Sequence, residues 1–262
     1  MRIIVVIGRV LDPEGFVVNR RRGRIFVNRE EYLIQPADRC ALEAALRIKD
    51  SRSVDVEVVA LPRCPLPDDD VLRLAVATGA DRAIYLTGDG VAKADDAVMA
   101  RILAAAVERL GGADLILTGA TTMDTGQAQL APRVAEALGW PQILDALHVE
   151  AADGRVTAIL KEGNGYVTVE TDLPAVVTVP QDTVKPRYPD GVRLINVYKR
   201  EGEMATAVEE WDVAGLVDAE ALQPLLEKRG QDFPPERERG VRASGTPEEM
   251  ARAVADALGQ RV

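Results

Sequence analysis

Short, fully apolar runs alternate with longer stretches of helical period along most of the chain. Ile3 to Ile7 is unbroken apolar sequence, and a strand that reads this way is buried on both faces, as in parallel sheets. Asp38 to Asp50, opened by Pro36, carries apolar residues at 41, 42, 45, 46 and 48, which places them on one side of a helix. Val54 to Leu61 predicts a second strand, Asp68 to about Thr78 a helix, Ala83 to Leu86 a third strand and Asp95 to Leu110 another helix. Leu115 to Thr118 is the fourth strand, and Pro174 to Val179 reads as one more buried strand. The alternation predicts an α/β fold, a Rossmann-like open and mostly parallel sheet of the adenine nucleotide alpha-hydrolase-like kind.

Two departures from this rhythm predict additions to the sheet. Leu147 to Ala151, Val156 to Lys161 and Tyr166 to Thr171 read as short antiparallel strands, with turns at Asp153-Gly154 and Gly163 to Gly165, so a β-hairpin insertion is expected. Phe16 to Val18 and Ile25 to Val27 read as two extended pieces around a basic turn, Arg20, Arg21, Arg22 and Arg24. Such a cluster either attracts an acidic partner or is the solvated tip of a hairpin. From Arg200 onward the apolar density falls. Pro224, Pro234, Pro235 and the charged run Glu236 to Arg239 predict an extended arm. A final helix follows, with Thr246 as N-cap, Pro247 at the first helical position and a stripe of Met250, Val254, Ala257 and Leu258. The expected organisation is a nucleotide-binding domain over 1–199 and a C-terminal arm and helix over 200–262 that pack on a partner subunit.

The stretch from Ala113 to Trp140 carries the candidate chemistry. An apolar run, Leu115 to Leu117, feeds a loop of small and hydroxylated residues, Thr118 to Met123, and a helix is expected from Asp124 or Thr125 to Leu138. Free N–H groups and the positive end of the helix dipole make such a junction a phosphate site. The same pattern also fits a plain strand–turn–helix. Pro62 to Pro67 is a stiff loop at the second strand's carboxyl end, where ligands of open α/β sheets collect. Asp68, Asp69 and Asp70 suit a helix N-terminus and read as structural, not as metal ligands.

Composition narrows the classes. Apolar residues make up 47% of the chain, which fits a globular protein with a sizeable core. A net charge of −10 argues against nucleic acid as the main partner. The two cysteines, Cys40 and Cys64, build neither a disulfide framework nor a zinc cluster, and one histidine, His148, excludes a histidine-based triad or multi-histidine metal site. No run approaches the length of a membrane span and the first apolar run is too short for a signal segment, so a soluble cytoplasmic protein is expected. No GxGxxG follows the first strand, and neither GxxxxGK[ST] nor GxSxG occurs. The visible chemistry is binding, with no catalytic residues and no metal expected. A self-standing adenine-nucleotide-binding protein, a sensor or hydrolase without flavin, is the alternative that these features alone leave open.

Six blocks in order add a resemblance. They are Met1 to Val6 with Arg9 to Asp12; Gln35-Pro36-Ala37-Asp38 with Ala41 to Lys49; Leu72-Arg73 with Ala77 to Arg82; Asp114 to Gly119; Asp124 to Gln127; and Leu173 to Thr178 followed by Pro186-Arg187-Tyr188. Together they resemble the beta subunit of electron-transfer flavoproteins. The resemblance implies a heterodimer with an alpha subunit that holds most of a redox-active FAD, and AMP in this subunit, or a second FAD if the complex bifurcates electrons. It implies transient partners, flavin dehydrogenases as donors and a quinone oxidoreductase as acceptor, in a complex that does not itself span the membrane. The implied nucleotide contacts fall on Val6, Gln35, Pro36, Asp38, Arg63, Gly119, Thr122, Asp124, Thr125, Gly126 and Gln127. Gln35 stands where the family usually has Asn, Gly8 where it usually has Lys, and the loop at Asp124 is shorter than the usual acid-rich version. With Gly8 lacking a cation, Arg9 or Arg63 is the candidate replacement. Trp140 and Cys40 read as packing residues, Cys64 as a weaker candidate contact, and Tyr188 as either a partner contact or ordinary packing.

Overall fold

A computed structural model describes residues 1–51, 55–199, 202–226, 230, 235, 240 and 242–259. The expectations that rest on Val54, Pro234 and residues 236–239 lie outside the described residues. The chain forms two compact units, Met1–Glu227 and Lys228–Val262.

In the first unit the strands and helices follow in the order β1 (Arg2–Ile7), β2 (Arg9–Leu11), β3 (Phe16–Asn19), β4 (Arg24–Val27), β5 (Tyr32–Ile34), α1 (Pro36–Ser51), β6 (Glu57–Pro62), α2 (Asp70–Thr78), β7 (Arg82–Thr87) and α3 (Asp96–Arg109). They continue with β8 (Leu115–Gly119), α4 (Leu130–Leu138), β9 (Gln142–Ile143), β10 (Ala146–Ala152), β11 (Arg155–Glu162), β12 (Gly165–Asp172), β13 (Ala175–Val179), α5 (Gly191–Val197) and β14 (Val208–Asp212). Seven strands make one parallel sheet in the order β14-β7-β6-β1-β8-β13-β9.

The apolar run of β1 is buried on both sides, as its composition requires. Ile3, Val5 and Ile7 join the core formed with α1 and α2, whereas Ile4 and Val6 join the core formed with α3 and α4. Parallel register places Ile4 beside Val59 of β6 and Ile116 of β8. From β1 the chain crosses to β6 and β7 on one side, then returns past β1 to β8 on the other. The sheet therefore has a topological switch point between β1 and β8, and α1 packs beneath it. The α3 helix is capped by Asp95, whose carboxylate accepts the N–H groups of Ala97 and Val98 at 3.0 and 2.9 Å. The same carboxylate also takes the N–H groups of Leu225 and Leu226 at 2.7 and 2.9 Å.

The insertion after β9 is a separate three-stranded antiparallel sheet, β10-β11-β12. Its Val149, Ala151, Val156 and Ala158 are buried in the core on the α1 side. The basic hairpin forms as expected. β3 and β4 pair antiparallel with a 3-10 turn at Arg20–Arg22, and Val17, Ile25, Phe26 and Val27 stay exposed.

One expectation is corrected for part of its range. Val208–Asp212, within the expected arm, pairs in parallel with β7 as β14 and becomes the sheet's edge strand. Trp211 and Val213 are buried against the α3 side, and the Arg109 guanidinium stacks 4.2 Å from the Trp211 ring centroid. Few apolar residues are needed to attach an edge strand, so the fall in apolar density hid it. In the second unit, α6 (Pro247–Gly259) begins with a capping box. Thr246 N–H donates to Glu249 Oε2 at 2.8 Å, and Glu249 N–H to Thr246 Oγ1 at 3.3 Å. Among the described residues no helix is long and apolar enough to cross a membrane.

Candidate functional site

The carboxyl ends of β1, β6 and β8 meet the N-terminus of α1 at the switch point, the place where open α/β sheets bind ligands. Gly8 follows β1, Arg63 follows β6 and Gly119 ends β8. Gln35 joins this end to the helix, its N–H donating to Gly8 O at 2.9 Å while its own carbonyl accepts Arg39 N–H at 3.0 Å. Pro36 occupies the first helical position, where a missing N–H costs nothing.

Asp38, in the first turn of α1, is fully buried and gathers these ends. Its Oδ2 accepts Gly8 N–H and its Oδ1 accepts Gly119 N–H, each at 2.8 Å. Arg63 Nε lies 3.2 and 3.1 Å from the two carboxylate oxygens. Arg63 Nη2 donates to Thr118 Oγ1 at 2.5 Å and to the carbonyl of Gly119. Burial pushes the Asp38 carboxyl above its ordinary range, while the Arg63 charge and the N–H groups of Gly119 and Gly8 pull it down. Every group converging on the carboxyl is a donor, so the ionised form is the one this geometry matches. Gly119 has no room for a side chain. A Cβ there would lie 2.5 Å from Asp38 Oδ1 and 2.6 Å from Ala37 Cβ. A Cβ at Gly8 would meet Arg63 Cδ and Asp38 Oδ2, both at 3.1 Å.

The loop after β8 differs from the expectation. The helix starts at Leu130, not at Asp124 or Thr125, and Gln129 gives it no side-chain cap. Gly126 adopts a left-handed conformation, φ 67°, which turns the chain back on itself instead of continuing a helix. Gly126 N–H closes onto Thr122 O at 2.9 Å, Thr122 N–H onto Gln127 O at 3.0 Å, and Gln127 N–H onto Thr122 Oγ1 at 3.1 Å. The hydroxyls of Thr122 and Thr125 are 2.6 Å apart, and Asp124 Oδ1 accepts Thr125 N–H at 2.8 Å. Pro132 also removes one donor from the first turn of α4, so that helix end is a poorer anion site than the sequence suggests.

Between this loop, the Pro62 to Pro67 loop and the base of the β3–β4 hairpin lies a cleft of about 600 Å³. Arg9, Tyr32, Cys64, Leu66, Met123 and Asp124 are among its walls, and the volume falls in the range of small-molecule sites. Arg9 sits 3.4 Å over the Tyr32 ring centroid and pairs with Asp68 at 2.5 Å. Burial pushes the Cys64 thiol up, which keeps it neutral at ordinary pH. Gln35 is only 3% exposed, yet its Oε1 has no hydrogen-bond partner in the protein. A buried acceptor left this way costs roughly 1–3 kcal/mol. A second cavity, about 140 Å³ between α1, α2 and Pro186, contains none of the expected contacts.

The structure thus brings Gln35, Pro36, Asp38, Arg63 and Gly119 together at the strand ends, and folds Thr122, Asp124, Thr125, Gly126 and Gln127 into one exposed turn. Val6 is different, a core residue facing α3 and α4. Thr118, which the sequence offers only as the start of the candidate loop, is buried and its hydroxyl accepts from Arg63. Trp140 and Cys40 pack against the core as expected, and Tyr188 is exposed. His148 pairs with Glu150 at 2.9 Å on the insertion.

The family model described as electron transfer flavoprotein domain matches residues 24–216. The acryloyl-CoA reductase electron transfer subunit gamma of Anaerotignum propionicum is 28% identical, over 100% of this chain and 99% of its own. The electron transfer flavoprotein subunit beta of Syntrophomonas wolfei is 29% identical over 98% and 95%. The subunit of the same description from Megasphaera elsdenii is 31% identical over 72% of each chain.

Proposed function

The chain belongs to the electron transfer flavoprotein family, and from that premise we propose that it is the beta subunit of a heterodimer, an electron-transfer protein and not itself a catalyst. An alpha subunit completes the complex and holds most of the redox-active FAD. Electrons enter from flavin dehydrogenases and leave to an acceptor such as a quinone oxidoreductase. The exposed apolar stripe of α6, Met250, Val254 and Leu258, supports packing of the C-terminal segment on that partner.

At the switch point this subunit takes an adenine nucleotide, AMP or the adenylate part of a second FAD. The observation that carries this reading is the unpartnered, buried Oε1 of Gln35, the residue that joins the end of β1 to the start of α1. Gln35 offers an acceptor to a ligand N–H or hydroxyl, and Met123 and Asp124 of the turn line the 600 Å³ cleft. A bound FAD would supply the capacity to take up and release electrons; AMP would supply only packing and hydrogen bonds. The test is to co-express the chain with its alpha partner, denature the purified complex and identify the released nucleotides by mass and absorbance. One FAD with one AMP supports a simple carrier, and two FAD without AMP support a bifurcating one. Absence of both complex and flavin overturns the reading.

A further inference from the structure

Asp38 and Arg63 were expected to touch the nucleotide, but their hydrogen bonds run to the protein. Asp38 accepts from Gly8 and Gly119, and Arg63 reaches Asp38, Thr118 and the Gly119 carbonyl. Arg63 is 5% exposed and Asp38 not at all. Together they satisfy backbone groups at the ends of β1 and β8 that, in an open sheet, are free to face a ligand. Gly8 is part of the same unit, because a Cβ there would crowd both Arg63 and Asp38.

We propose that Arg63 is a positioning residue of the nucleotide site: with Asp38 and Gly8 it forms an internal clasp that fixes the ends of β1, β6 and β8 before any nucleotide binds. Recognition then falls to Gln35 and the turn Thr122 to Gln127, and Arg63 is not a phosphate clamp. Buried ion pairs add little net stability but break at high cost, so they are suited to holding one arrangement. The nucleotide used as a probe rests on the proposed function; the clasp itself does not.

The test uses the full chain in complex with its alpha partner, stripped of nucleotide. Hydrogen exchange of peptides covering Gly8 and Gly119 is followed with and without added AMP, and AMP and adenosine binding are compared by calorimetry. In the wild type both peptides are expected to be protected without AMP and unchanged by it. Arg63→Ala should speed exchange in both by about tenfold or more, and weaken AMP and adenosine by the same factor. Arg63→Lys should not rescue, because one ammonium cannot span Asp38, Thr118 and Gly119. Gly8→Ala should give the same pattern to a smaller degree, and stands in if Arg63→Ala fails to fold. Protection that appears only on adding AMP, selective loss of AMP over adenosine, or full rescue by lysine would overturn the clasp. If the wild type binds neither probe, the nucleotide reading fails while the exchange result still decides the clasp.

Discussion

The strand-end clasp and the turn from Thr122 to Gln127 lie on the same edge of the sheet, yet they are built on opposite terms. In the clasp the polar groups are buried, and each carboxylate oxygen and the Gly119 amide meets a partner from a different strand or helix. In the turn every side chain but the half-buried Thr122 is exposed, and the hydrogen bonds close within six residues of sequence. A buried polar group without a partner carries its full desolvation cost, whereas an exposed one falls back on water. The clasp therefore has no solvent to fall back on, whereas the exposed groups of the turn can exchange their hydrogen bonds for water.

The largest effect that sharpens this contrast is expected from Asp38→Ala. It strands the Arg63 guanidinium in the interior and should cost about 3–5 kcal/mol in urea denaturation. A cost below about 1 kcal/mol would mean that water reaches the site and the two regions are alike. Gly119→Ala comes next. Its methyl group would collide with Asp38 and Ala37, and a loss of about 1–3 kcal/mol is expected from thermal unfolding.

Glu43, farther along the same helix, is a half-way case. Burial works to raise its carboxyl, but hydrogen bonds from Arg187 and Arg47 outweigh that and hold it below its ordinary value. A carboxyl depressed in the folded state stabilises above its unfolded pKa, and that contribution fades as pH falls through the folded one. Glu43→Gln should then cost on the order of 1 kcal/mol at neutral pH, discounted because Arg187 is partly exposed. The gap to wild type should close in acid. A gap that widens in acid would contradict the assignment. Thr122→Val should have the smallest effect, about 0.5 kcal/mol or less. If it rivals Asp38→Ala, the turn is not the soft half of the site.

The sequence marked the loops at the strand ends, but not the bonds between them. Gln35, Asp38, Arg63 and Gly119 are far apart in the chain, and it was the family resemblance that named them together; the local pattern marked only the loops that follow the second and fourth predicted strands. Their mutual bonds were not legible, since Asp38 to Arg63 and Arg63 to Thr118 are contacts between elements and leave no local pattern. The helix start was misplaced for a related reason. Asp124 and Thr125 have good capping chemistry, but Gly126 takes a left-handed conformation and Thr122 closes the turn first.

By itself the sequence determined the alternation of strands and helices, because an apolar run of five residues and a helical stripe are local consequences of which side chains avoid water. It also determined the absence of the common phosphate loops and the ordered blocks that mark the family. Only the tertiary structure decided that β14 closes the sheet edge, that Arg63 turns inward to Asp38, and that Gln35 keeps a buried acceptor unpaired. Those outcomes depend on which groups from distant elements share a desolvated space, and the cost of leaving a polar group unmatched there is set by the packed neighbours, not by the residues beside it in the chain.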